Sequence, residues 1–145
     1  APMIVPLFPY SEVEFIRAEA EWKASNHTAA KTAYEKAVKA AIEQWTVTVP
    51  ADYFTNSVAA YNGTLERILL QKYYSQIFVD YQQWFEYRRT GFPKLPVAAG
   101  MLNNGVMPSR FMYPISVKVS NPDKYNEAVT GMGGDNINVK VWWEK

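Results

Sequence analysis

The chain has 145 residues, of which 48% are hydrophobic and 15% aromatic, enough to pack the core of one domain and far from the composition of a disordered segment. Fifteen basic and 14 acidic residues are mixed along it for a net charge of +1, so no long-range field gathers nucleic acid or an anionic surface. Cysteine is absent, which excludes thiol catalysis, disulfides and thiolate metal sites, and no apolar run approaches the ~20 residues of a membrane-spanning helix.

The opening APMIVPLFP carries Pro2, Pro6 and Pro9, which forbid a regular helix and favour an extended lead-in. Its bared Met3, Ile4, Val5, Leu7 and Phe8 imply either docking on the body or truncation of a longer chain, and truncation is the favoured reading. Ser11-Glu12-Val13-Glu14 has the spacing of a capping box, predicting a helix from Ser11 to about Lys23. Thr28 is placed to cap a second helix, in which Ala30, Ala33, Tyr34, Ala37, Val38, Ala41, Ile42 and Trp45 recur at i, i+3, i+4, i+7. A helix pair over about 11–45 follows, packed antiparallel through its alanine faces.

Residues 46–63 read as a linker: Pro50 stops the second helix, and Asn62-Gly63 is a turn. Thr64 to Gly91 contains no proline and no internal glycine, so one long helix is expected over 64–91, roughly 40 Å at about 1.5 Å per residue. On it Leu69, Leu70, Tyr73, Tyr74, Ile77, Phe78, Tyr81, Trp84 and Phe85 form the expected core side, while Gln71, Lys72, Ser75, Gln82, Gln83 and Glu86 fall on the wet side. Residues 92–145 form an irregular C-terminal segment. Within it, 110–119 and 137–143 have strand-like β-branched and aromatic content, and 123–129 a helical turn. The fold class is therefore mainly α, with long loops and a few short strands near the C-terminus.

Few residues suggest chemistry. His27 is the only histidine and sits in a polar turn, where neither a catalytic triad nor a multi-histidine metal site is readily built. Glu12, Glu14, Glu19 and Glu21 supply carboxylates for a glycosidase pair, but the dipole at a helix start already accounts for Glu12 and Glu14. Arg88-Arg89 ahead of Thr90-Gly91 suit the last turn of a helix and are read as structural; Gly131, Gly133 and Gly134 form a turn with no phosphate-loop lysine. Asn26-His27-Thr28 and Asn62-Gly63-Thr64 fit the glycosylation pattern and are read as turn and cap chemistry. Tyr53, Phe54 and Tyr61 lie off the helical stripes, and aromatic rings of this kind stack on the apolar faces of sugars, which makes them the candidate ligand-binding residues. No catalytic residue, metal site or cofactor is assigned.

Several motifs in order resemble the SusD/RagB family, surface glycan-binding lipoproteins of Bacteroidetes. Tyr10-Ser11-Glu12-Val13-Glu14-Phe15-Ile16-Arg17-Ala18-Glu19-Ala20 is similar to the family's Y-x-E-x-x-F-x-x-A-E-A helix. Gln71-Lys72 and Trp84-Phe85-Glu86-Tyr87-Arg88-Arg89-Thr90-Gly91-Phe92-Pro93 resemble its Q-K-W and W-x-E-Y-R-R-T-G-Y-P. Pro108-Ser109-Arg110-Phe111-Met112-Tyr113-Pro114, Asn121-Pro122, Tyr125-Asn126 and Lys140-Val141-Trp142-Trp143-Glu144-Lys145 resemble its closing segment. Tyr73 stands where tryptophan is usual, and Val117-Lys118-Val119 lacks an acidic residue often present there.

The resemblance implies the C-terminal part of such a protein, on a tetratricopeptide-like helical-repeat scaffold of which Ala33-Tyr34-Glu35-Lys36-Ala37 marks one unit. It further implies a non-enzymatic role: binding oligosaccharide at the outward face of the outer membrane and delivering it to a TonB-dependent transporter. The lipid anchor would lie outside this chain, and the motifs carry over no binding residue. The alternative is a helical-repeat adaptor that binds peptide segments in its groove; a carboxylate-pair glycan enzyme ranks below both.

Overall fold

The computed structural model describes residues 5–144, among which six α-helices form and no β-strand does. They fall into two compact units, 1–94 and 95–145. The lead-in expected over 1–9 lies partly outside the described residues; what is described of it is irregular.

In the first unit α1 (Tyr10–Lys23) and α2 (His27–Glu43) are joined by a three-residue turn in which Ser25 takes a left-handed φ of 63°. Alanine makes their contact close: Ala18 of α1 and Ala30, Ala33 and Ala37 of α2 are buried. Phe15 and Tyr34 fill the centre edge-to-face, with ring centroids 6.2 Å apart. Ile68 of α3 (Leu65–Ser75) completes this cluster. The Tyr34 hydroxyl donates to the carbonyl of Ala59, fastening residues 46–63 to the core.

The helix starts are not capped as expected. Helix α1 begins at Tyr10 behind Pro9 with no side-chain cap, so Ser11 lies inside the helix, buried, and the Glu14 carboxylate accepts from the Tyr10 hydroxyl at 2.8 Å instead. Helix α2 begins one residue before Thr28, with Asn26 at the N-cap position. At α3 the cap chemistry does operate: Thr64 Oγ1 accepts from the Arg67 amide at 3.2 Å, and Gly63 takes the φ of +80° that the preceding turn requires.

The single helix expected over 64–91 is two: α3, and α4 (Gln82–Thr90). Between them Phe78 and Asp80 adopt φ of 64° and 41°, outside helical geometry. Tertiary partners explain the break: Val79 and Gln76 turn inward and are buried, and Gln83 Nε2 donates at 2.8 Å to the Tyr73 carbonyl, which also takes a 3.3 Å bond from the Gln76 amide at the end of α3. The expected sides hold only in part: Leu69 is buried as expected, but others are exchanged. Gln71, Lys72 and Ser75 are buried, whereas Tyr74, Ile77, Phe78, Tyr81 and Phe85 are exposed. Hydropathy assigns polar residues to water, but each of these three is satisfied inside, Gln71 by Tyr53, Lys72 by Glu86 and Ser75 by the Lys72 carbonyl.

In the second unit, the strand-like run over 110–119 ends as a helix, α5 (Ile115–Ser120), followed by α6 (Pro122–Met132). A strand needs a ladder, and the amides of Ser109 and Arg110 instead converge on the single carbonyl of Ile137, with no strand among the described residues. Asn121 caps α6 by accepting from the Lys124 amide, with Pro122 at its first position. Asp135 holds this unit together by accepting from the Tyr113 amide at 3.2 Å and the Tyr125 hydroxyl at 3.1 Å and pairing with Arg110 at 3.3 Å.

Replacing Tyr34 by phenylalanine strands the Ala59 carbonyl without changing the ring. Urea unfolding should show a loss of about 1–3 kcal/mol, the cost of one buried unmet hydrogen-bonding group.

Candidate functional site

Two concavities of similar size lie on the first unit. One, of about 390 Å³, is lined by Glu12, Ile16, Glu19, Ala20, Lys23, Lys72, Glu86 and Arg89, from α1, α3 and α4. Residues seventy positions apart meet here: Arg89 donates through Nη1 and Nη2 to the two oxygens of Glu19 at 2.8 and 2.6 Å. Lys23 adds a bond to Glu19 at 2.7 Å, while Glu86 accepts from Arg89 at 2.8 Å and pairs with Lys72 at 3.0 Å. Burial pushes the Glu19 carboxyl up, but the hydrogen bonds from Arg89 and Lys23 outweigh it and hold it at about 2. Burial likewise opposes ionisation of Glu86, and Arg89 and Lys72 reverse this, keeping it below the usual carboxylate range. The Glu19 hydrogen bonds, foremost, raise Arg89 despite its own burial.

Such a network holds helices in place, with each of Glu19 and Glu86 met by two cations. The rest of the Arg88-Arg89-Thr90-Gly91 segment is also engaged. Arg88 lies over the Trp84 ring at 4.4 Å, Thr90 Oγ1 donates to the Glu86 carbonyl and accepts from the Phe92 amide, and Gly91 ends α4 in the left-handed conformation.

The second concavity, of about 380 Å³, is lined by Pro50, Asp52, Tyr53, Asn56, Val58, Ala59, Gln71 and Tyr74. Its volume lies at the lower end of the range for small-molecule sites. Asn56 is placed by its own turn, its Oδ1 accepting from the Val58 amide at 2.8 Å. Gln71 is fixed by accepting from the Tyr53 hydroxyl at 3.0 Å, and Tyr74 keeps 57% of its surface exposed.

Of the three aromatic residues singled out in the sequence, Tyr53 alone lines this concavity. All three pack, half-buried, against the core: Phe54 meets Tyr53 edge-to-face with centroids 5.7 Å apart, and Tyr61 leans on Tyr34 at 5.5 Å. Asp52, Asn56, Gln71 and Tyr74 escaped sequence reasoning. The first two read as turn residues, and the last two were assigned to the wrong sides of α3. His27 sits exposed, its ring edge-to-face with Trp22. Among the described residues no group of three or more His, Cys, Asp or Glu side chains is arranged to hold a metal ion.

The family model described as "Starch-binding associating with outer membrane", a SusD-like model, matches residues 1–114. The chain belongs to this SusD-like family. Solved SusD-like structures share its fold. A SusD homologue from Parabacteroides distasonis is 28% identical with a TM-score of 0.80, covering 97% of this chain and 33% of its own. A chitin-binding protein is 31% identical with a TM-score of 0.76, covering 94% of this chain and 32% of its own. A SusD homologue from Bacteroides thetaiotaomicron is 28% identical with a TM-score of 0.78, covering 92% and 37%. This chain thus spans about a third of the length of its solved relatives. No curated protein matches it.

The SusD-like motif residues Glu19, Lys72, Glu86 and Arg89 belong to the ionic node, which gives a signed pH dependence. Glu19 titrates at about 2 when folded against an ordinary 4.5, so its contribution is complete above the ordinary value and is lost as pH falls towards 2. Arg89→Ala should destabilise the protein by about 1–3 kcal/mol at neutral pH, less than a fully buried pair because Arg89 is 40% exposed. Melting temperatures should also show a shallower acid decline in this variant than in the wild type.

Proposed function

We propose that this chain forms part of a non-catalytic surface receptor that binds oligosaccharide on the outward face of the outer membrane and passes it to a TonB-dependent transporter. The observation that carries this reading is the match of residues 1–114 to a family described as starch-binding and associating with the outer membrane. A relative described as chitin-binding, 31% identical, supports carbohydrate as the ligand class. Membrane attachment, on this reading, comes from a lipid anchor outside the residues described.

Within the chain we assign the glycan contact to the concavity beside α3. The exposed ring of Tyr74 offers a flat apolar platform for a sugar ring, and Asp52, Asn56 and Gln71 supply a carboxylate and two carboxamides for its hydroxyls. Tyr53 forms part of the wall and orients Gln71, while Phe54 and Tyr61 brace that wall from behind. The ionic node holds the same half of α3 through Lys72, which lies between Gln71 and Tyr74 in sequence. The sugar, its linkage and the transporter are properties of the longer receptor.

Calorimetric titration of the longest available form of the protein with starch- and chitin-derived oligosaccharides tests both levels. Binding of either, weakened about tenfold or more by Tyr74→Ala, is the expected result; about 1.4 kcal/mol corresponds to that factor. Binding unaffected by Tyr74→Ala and by Asn56→Ala would move the contact elsewhere, and binding of neither glycan would remove the receptor reading.

A further inference from the structure

One carboxylate of the node takes no part in its pairing. Glu12 is 5% exposed; its Oε1 accepts from Gln76 Nε2 at 3.3 Å, while its Oε2 is shut off from solvent with no partner. Gln76 is 1% exposed, and its Oε1 is also buried without a partner. Two orphaned acceptors therefore belong to the same two side chains that already share one hydrogen bond. Buried acceptors need donors, and two oxygens cannot serve each other unless one carries hydrogen. A single proton on the carboxyl meets both needs. A ring of the same form exists in the second unit, where the Asn103 and Asn138 carboxamides exchange hydrogen bonds at 2.6 and 2.9 Å.

We propose that Glu12 and Gln76 form a cyclic carboxylic acid–carboxamide pair, in which Glu12 keeps a proton on Oε2 and donates it to Gln76 Oε1. The pair joins the first turn of α1 to the end of α3, where the chain breaks before α4.

The groups facing Glu12 are compatible with this. On α1, Glu19 and Lys23 are bonded to each other; on α3, Lys72 is paired with Glu86; on α4, Arg89 is divided between Glu19 and Glu86. Burial pushes the Glu12 carboxyl up, the Lys72 charge and the Gln76 hydrogen bond oppose this, Glu86 adds to it, and the net direction is upward. The sign is opposite to that of Glu19. A carboxyl raised on folding favours the folded state fully below its unfolded value, and that advantage is lost as pH rises through its folded value. The joint is a clasp that a proton closes.

Carbon-13 NMR of the glutamate side-chain carboxyls from about pH 3 to about pH 8 tests this, with melting of the wild type and of Glu12→Gln at about pH 4 and about pH 8. In Glu12→Gln an amide N–H replaces the carboxyl O–H, so the ring persists at every pH. The expected result is a Glu12 carbon that titrates above the exposed glutamates, and a variant that melts with the wild type at the lower pH and above it at the higher. A Glu12 carbon titrating with or below the exposed glutamates overturns the proposal, as does a variant that melts lower than the wild type at both pH values. A buried water bridging an ionised Glu12 to Gln76 would give that second outcome. Should Glu12→Gln fail to fold, the wild-type titration decides alone.

Discussion

The first unit depends on the two-pronged contact between Arg89 and Glu19. It joins the last turn of α4 to the middle of α1 across seventy residues of sequence, and it does so through the planar fork by which a guanidinium meets both oxygens of a carboxylate. Because the same guanidinium also reaches Glu86, and Glu86 reaches Lys72, the position of α4 relative to α3 follows from this contact. The break between the two helices is sustained in the same way. A chain with no proline or glycine at residues 76–81 has no local reason to leave the helix, so partners elsewhere must hold it in the broken form.

Around that node the unit has two different kinds of interior. Between α1 and α2 it is apolar and tightly fitted, built from alanines and the crossed rings of Phe15 and Tyr34, where burial of surface and shape provide the stability. Between α1, α3 and α4 it is polar, and stability there rests on every charge finding a partner. The two kinds answer differently to pH: the apolar part is indifferent to it, and the polar part carries carboxyls moved in both directions. The glycan-facing concavity proposed beside α3 lies against the apolar part, with the turn of residues 52–58 pinned through Ala59 to Tyr34.

The second unit, taken by itself, is organised by Asp135 rather than by a hydrophobic core. Its carboxylate gathers a backbone amide, a phenol and a guanidinium, which draws residues 110–113 and α6 together. The glycines before it serve this purpose: Gly133 and Gly134 take positive φ and turn the chain so that Asp135 faces back.

The sequence by itself determined the first helix pair, the turn and cap before α3, and membership of the SusD-like family. Those features are local: a 3.6-residue period of alanines and aromatics, an Asn-Gly-Thr turn, and short motifs in fixed order. Only the tertiary structure decided that Lys72, Gln71 and Ser75 are buried while Tyr74 and Phe78 are exposed, that residues 64–91 form two helices, and that residues 110–119 end as a helix. In each case the deciding groups lie far away in the chain. Lys72 is buried because Glu86 is there to receive it, and the two strand-like runs lack the ladder of partners that would make them strands. Hydropathy ranks a side chain by its cost in an apolar medium, and that ranking fails where a distant residue supplies the opposite charge.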